Sequence, residues 1–126
     1  MSWDSYRDSL LKTGCVDKAA VCGTDDGAVW TKSPDFNITP TEIKTIINGF
    51  RSPDSLCSSG IMLGGAKYLY IRSDDSQIQG KKGSTGVSIA RSNKCLIIGT
   101  YVDGQQPGNC RMQVERIRDY LLQSNY

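Results

Sequence analysis

The sequence predicts an α+β domain in which a central antiparallel β-sheet carries the N- and C-terminal helices side by side on one face. Three observations lead there. Short strand-like runs between Gly60 and Asp103 are separated by turn residues too closely for parallel crossovers, which need a dozen or more residues. Both ends of the chain show helical spacing of apolar residues. The apolar arc of the C-terminal helix is wider than the ~100° stripe of a helix resting on one sheet, so it needs a second neighbour, and the N-terminal helix is the economical one.

Taken in order, Ser2 is a good N-cap, Asp4 suits the positive helix end, and Gly14 stands where a left-handed terminating residue is wanted, so a helix is expected over 3–12. Trp3, Tyr6 and Leu10 fall on one of its faces, with Leu11 slightly round from them. Lys18-Ala-Ala-Val-Cys-Gly23 and Ala28-Val-Trp-Thr31 flank an Asp-Gly turn and read as a hairpin. Thr39-Pro40-Thr41-Glu42 combines an N-cap, a proline at the first helical position and the glutamate of a capping box, and predicts a second helix over about 40–50. A meander should follow over 61–102: Ile61–Leu63, Tyr68–Ile71, Ser76–Gly80, Gly86–Ile89 and Cys95–Val102, with Gly64-Gly65, Asp74-Asp75 and Ser92-Asn-Lys94 as turns. Gln106-Pro-Gly108 breaks the last strand, and helical spacing returns over 109–123. There Cys110, Val114, Ile117 and Leu121 form one stripe, flanked by Tyr120 and Leu122.

A chain of 126 residues is the size of one domain and can bury about two thirds of the surface its unfolded form exposes. With no repeat, linker or low-complexity segment, residues 1–126 are expected to form a single domain. A net charge of +2 is too small for a wholesale polyanion binder. The longest apolar runs, such as Leu96-Ile97-Ile98, fall far short of the ~20 residues that span a bilayer, and the chain reads as cytosolic. Five cysteines without a C-x-x-C pair fit reduced, mostly buried thiols better than a disulfide framework. The absence of histidine removes Ser-His-Asp and Cys-His nucleophile activation and histidine-ligated zinc, and there is no P-loop, G-x-G-x-x-G or H-E-x-x-H motif. The expectation is a non-catalytic protein with neither metal nor cofactor.

The aromatics point to a binding role. Trp3, Tyr6, Trp30, Tyr120 and Tyr126 come from both chain ends and the first hairpin. Large aromatics are usually core residues, but residue 126 is a poor place for a core tyrosine, and paired terminal helices would gather these rings. An exposed Trp/Tyr cluster suits a proline-rich ligand, whose polyproline II helix offers ridged apolar faces, free carbonyl acceptors and little conformational entropy to lose. The competing reading is a small ligand- or nucleic-acid-binding sensor domain on a helix-flanked antiparallel sheet. The lack of an RNP-type motif and the weak charge count against nucleic acid.

Seven stretches carry a family resemblance: Met1-Ser-Trp-Asp-Ser-Tyr6, Ala28-Val-Trp30, Leu63-Gly-Gly-Ala-Lys67-Tyr68, Ile71-Arg-Ser-Asp-Asp75, Gly80-Lys-Lys-Gly83, Gln106-Pro-Gly108 and Val114-Glu-Arg-Ile-Arg-Asp-Tyr-Leu121. In order and separation they resemble the profilins from end to end, more like the compact forms of plants, fungi and protists than the longer vertebrate ones. The resemblance implies shorter helices on the sheet's other face, and a monomer, cytoplasmic and associated with the cytoskeleton, that regulates actin polymerisation. It implies binding of proline-rich proteins such as formins through Trp3, Tyr6, Trp30, Tyr120, Leu121 and Tyr126; many profilins have histidine where Tyr120 stands. It implies binding of monomeric actin through Lys67, Tyr68, Arg72, Lys81, Lys82, Arg91, Gly108, Arg111 and Met112. It also implies a phosphoinositide-headgroup patch at Arg72, Lys81, Lys82 and Arg91.

Overall fold

In a computed structural model, which describes residues 3–126, every strand pairs antiparallel with its neighbours. Helix α1 (Trp3–Lys12) leads into the hairpin β1 (Lys18–Gly23) and β2 (Val29–Lys32). Helices α2 (Pro40–Arg51) and α3 (Pro53–Ser59) follow, then the meander β3 (Ile61–Leu63), β4 (Ala66–Ser73), β5 (Gln77–Lys82), β6 (Thr85–Arg91) and β7 (Cys95–Tyr101), and finally α4 (Pro107–Gln123). The spatial order is β2-β1-β7-β6-β5-β4-β3, closed at the middle by β1 pairing with β7 from Lys18↔Thr100 to Gly23↔Cys95. That pairing joins the two ends of the sequence, and no local pattern specifies it.

Alternation along the strands divides the core in two. On one face Leu10, Val16, Ala19, Val21, Ala90, Cys95 and Ile97 pack with Cys110, Val114, Ile117 and Leu121 of α4. Burying each of those larger aliphatic side chains stabilises the fold by about 1.5–3 kcal/mol. Helix α4 comes close because Gly99 has no side chain: a Cβ there would lie 2.6 Å from Val114 Cγ2. Helix α1 covers β1 and β2 beside it, as the wide apolar arc of α4 requires. The width is used on one side only, since Tyr120 meets α1 while Leu122 is left exposed.

The opposite face packs Ile43, Ile46 and Phe50 of α2 and Leu56 of α3 against Ile61, Ile78, Val87, Ile89 and Ile98. The capping box forms as the sequence indicates: Glu42 N–H donates to Thr39 Oγ1 at 3.2 Å and Thr39 N–H to Glu42 Oε1 at 3.1 Å. Glu42 also accepts from the Gly64 and Gly65 N–H groups at 3.0 and 3.1 Å, tying α2 to the β3–β4 turn. Helix α3 has no counterpart among the elements expected from the sequence; its seven residues are too few to show periodicity, and its marks are terminal ones, Pro53 and Asp54 in the first turn and Gly60, with a φ of 78°, at the end. Gln106-Pro-Gly108 does not break the last strand, since β7 already ends at Tyr101; it opens α4 instead, with Gln106 as N-cap and Pro107 at the first helical position. The expected N-cap Ser2 lies outside the described residues. Cys22, Cys95 and Cys110 are buried, Cys15 is half-buried, Cys57 is exposed, and all five are free thiols. No helix among the described residues is long and apolar enough to cross a membrane.

Candidate functional site

The aromatics from the two ends and the hairpin meet. The Trp3 ring centroid lies 4.6 Å from that of Trp30, 5.6 Å from Tyr6 and 5.1 Å, nearly perpendicular, from Tyr126; Tyr6 in turn lies 5.9 Å from Tyr120. Tilted and edge contacts of this kind are the favoured aromatic geometries. All five rings keep some exposure, Tyr120 and Tyr126 the most. Leu121 does not join them at the surface: at 1% exposure it belongs to the core on which Trp3, Tyr6 and Trp30 rest.

Each ring has an identifiable support. Trp30 lies flat against β1 because Gly23 leaves room; a Cβ there would be 3.0 Å from the indole. Helix α1 is fastened to β2 by Thr31 Oγ1, which donates to Asp4 Oδ1, and by Arg7 Nη1, which donates to the Lys32 carbonyl at 3.1 Å. Tyr126 is brought back over Trp3 by Asn125, whose φ of 70° is a left-handed conformation that asparagine tolerates. The Tyr126 main-chain oxygen then accepts from Lys94 N–H at 2.5 Å and Ser92 Oγ at 3.0 Å, and Lys94 Nζ sits 5.6 Å from its ring centroid. Ser92 and Lys94 read only as turn residues in the sequence; nothing local relates them to a residue more than 30 positions away. Burial lifts the Tyr6 phenol above its ordinary pKa, and the neighbouring Tyr120 and Tyr126 lift it further, so it stays a neutral O–H donor at physiological pH.

A second surface lies on the same sheet face beyond α4, which packs on β6 and β7, buries Gln77 at the start of β5, and leaves exposed the Lys81 end of β5 and the neighbouring face of β4 and β3. Alternation on β4 sends Lys67, Leu69 and Ile71 to this face, with Leu69 at 64% and Ile71 at 54% exposure, and Met62 of β3 pairs with Lys67 beside them. Sequence reasoning missed these three apolar residues, although the period of two in Lys67-Tyr-Leu-Tyr-Ile71 carries the signal. A cavity of about 490 Å³ opens between this face and the start of α4, lined in part by Arg72, Lys81, Tyr101, Gly108 and Arg111. Met112 is exposed on the adjoining face of α4.

Three of the sequence-derived residues depart from that surface. Tyr68, at 8% exposure, points to the other face and into the core beneath α2 and α3. Lys82, next to Lys81 on β5, alternates to that other face too. Arg91 stands at the far end of β6 from the β5–β6 turn and lies over the Phe50 ring of α2, 5.5 Å from its centroid. The expected four-cation patch is therefore not one patch: Arg72 and Lys81 stay together and are joined by Arg111, while Lys82 and Arg91 lie elsewhere.

The Profilin family model matches residues 1–126. Profilin-1 of Dictyostelium discoideum is 39% identical over 126 residues, covering 100% of both chains, and Profilin-1A of Acanthamoeba castellanii is 40% identical over 123 residues, covering 97% of each. Among solved structures, Acanthamoeba castellanii profilin II superposes with a TM-score of 0.95 at 37% identity, over 99% of this chain and 100% of that one. Mouse profilin IIa in complex with a double repeat from the FH1 domain of mDia1 gives a TM-score of 0.85 at 27% identity over 100% of both chains. The family match and the superpositions run along essentially the whole length, and the chain belongs to the profilin family.

Proposed function

We propose that this protein binds monomeric actin and proline-rich segments of actin-assembly factors and so regulates actin polymerisation. The observation that carries the reading is the semi-exposed cluster of Trp3, Tyr6, Trp30, Tyr120 and Tyr126. Flat rings with indole N–H and phenol O–H handles suit the apolar ridges and free carbonyls of a polyproline II helix. The FH1-bound mouse structure, whose fold this chain shares, supports the same assignment.

Actin binding falls to the exposed part of the β3–β5 face and the start of α4, where Lys67, Arg72, Lys81, Gly108, Arg111 and Met112 surround Met62, Leu69 and Ile71. An exposed apolar patch rimmed by charge is the composition expected of a protein interface. Tyr68 supports this face from behind. Phosphoinositide headgroups would draw on Arg72, Lys81 and Arg111 around the same cavity, so lipid and actin would compete.

The two surfaces share one helix. Gly108 and Tyr120 of α4 are separated by about 18 Å at 1.5 Å per residue, far enough apart for both partners to bind at once. An actin subunit held on one surface while the other is tethered to a proline-rich chain has a raised effective concentration near a growing filament end. The mechanism needs no covalent chemistry, and it fits a protein that works in the cytoplasm alongside the cytoskeleton. The test has two arms. Tryptophan fluorescence should change saturably on titration with decaproline, and the protein should slow spontaneous polymerisation of purified actin; a flat titration overturns the groove, and unaltered polymerisation overturns the actin assignment.

A further inference from the structure

The aromatic cluster does not end at Tyr6 and Tyr120. Those two rings also form one end of a cleft of about 370 Å³ between α1 and α4, whose other walls are Ser5, Ser9, Arg116 and Ile117. Ser9 follows Tyr6 by about one turn of α1, and Arg116 precedes Tyr120 by one turn of α4, so the Ser9–Arg116 pair is the next rung between two antiparallel helices. Arg116 reaches across that rung, with Nη2 3.4 Å from Ser9 Oγ.

Among the described residues, Arg116 forms no ion pair. Arg116 Nε donates to Gln113 Oε1 at 2.9 Å, so both side chains to which it donates, Ser9 and Gln113, are neutral. The two carboxylates nearest along α4 are engaged by other arginines: Glu115 Oε1 by Arg111 Nε at 2.8 Å and Asp119 Oδ1 by Arg118 Nε at 2.7 Å. Arg116 is thus a cation held at the end of the cleft whose Nη1 carries no hydrogen bond among the described residues and can meet an incoming carboxylate.

Length matches as well. One helical turn is about 5.4 Å, and polyproline II advances about 3.1 Å per residue. A proline segment leaving the aromatic cluster past Tyr6 and Tyr120 would bring its next one or two residues over Ser9 and Arg116. We propose that this cleft is a specificity subsite for an acidic residue flanking the proline run, with the Arg116 guanidinium pairing its carboxylate and Ser9 Oγ donating a second hydrogen bond. The inference rests on the proline-groove reading and adds that the preferred ligands are proline-rich segments bordered by Glu or Asp.

The test uses three peptides, decaproline alone and decaproline with a pair of glutamates or a pair of lysines at either end, titrated against the wild type, Arg116→Gln and Lys44→Gln. Lys44 lies on α2, away from both helices of the cleft, and its variant makes the same change in net charge. Expected is a preference of about threefold or more for a glutamate-flanked peptide over decaproline in the wild type and in Lys44→Gln, weakened by salt and abolished in Arg116→Gln. Decaproline itself should bind all three proteins alike. A glutamate preference that survives in Arg116→Gln, or none in the wild type, overturns the subsite while leaving the groove intact. Failure of the wild type to bind decaproline overturns the groove and the subsite with it.

Discussion

Thr31 Oγ1 donates a 2.5 Å hydrogen bond to Asp4 Oδ1, and the residues just before them in sequence, Trp30 and Trp3, have ring centroids 4.6 Å apart. The polar link and the aromatic contact form a double clasp between the first turn of α1 and the edge strand β2. Replacing Thr31 by Val keeps the shape and removes the hydroxyl. We expect a loss of about 1 kcal/mol in folding stability, read by denaturant unfolding, together with weaker decaproline binding because the Trp3–Trp30 spacing is no longer fixed. Full retention of peptide affinity would show that ring packing alone sets that spacing.

Trp3 touches Trp30, Tyr6 and Tyr126, more rings than any other member of the cluster. Interface energy concentrates in such central aromatics, and Trp3→Ala should cost about 2 kcal/mol or more in decaproline binding. Calorimetric titration of the folded variant reads this directly; unchanged affinity would refute the central role of Trp3.

The thiols should separate by environment. Burial, with Cys95 adding to it, pushes Cys22 up to about 12, and burial, with Cys15 adding to it, pushes Cys110 up to about 12, so neither is a thiolate at neutral pH. Burial also raises Cys95, against the opposing effect of its Ser92 hydrogen bond. In native protein an aromatic disulfide reagent should label Cys57 first and Cys15 more slowly, with the remaining three thiols appearing only on unfolding. Peptide mapping of the labelled protein checks the order.

Asp74 Oδ1 accepts from the Ser76 N–H at 2.7 Å, the Ser76 hydroxyl at 2.9 Å and the Gln77 N–H at 3.1 Å. The Ser76 backbone N–H, followed by the other hydrogen bonds and against some desolvation, holds the Asp74 carboxyl below the usual carboxylate range. A lowered folded-state pKa contributes stability that is fully present above the unfolded value of about 4 and is lost as pH falls through the folded value. Asp74→Ala should therefore be less stable than the wild type at neutral pH, and the gap should narrow below about pH 4. Denaturant midpoints measured across that range test the sign.

Much of this was legible locally. The Thr39–Glu42 capping box, the 3.6-residue stripe from Cys110 to Leu121 and the turn residues between strands each encode their element within a few positions, and the structure keeps nearly the same bounds. The β1–β7 pairing was not legible, because its partners are more than 70 residues apart and many buried strands would fit as well. Site residues followed the same rule. The rings were identifiable because aromatics at the termini are unusual, whereas the part taken by Ser92 and Lys94 exists only after the chain folds back on itself. Lys81-Lys82 and Arg91 were misgrouped because proximity along the sequence or between adjacent strands does not say which face a side chain takes; a period of two does, except where a register shift interrupts it, as between Tyr70 and Arg72, which leaves Ile71 and Arg72 lining one cavity.

The order β2-β1-β7-β6-β5-β4-β3 leaves two edges, and its outermost strands are its shortest, four residues in β2 and three in β3. An unpaired strand is a template on which another chain can add by main-chain hydrogen bonding, and brevity is one of the ways proteins blunt that hazard. The long, apolar strands β6 and β7 are enclosed on both sides, so the segments most prone to self-association never meet solvent edge-on. A molecule with two working surfaces can then accumulate to high concentration without its sheets joining end to end, and its associations are left to side chains instead of to the backbone.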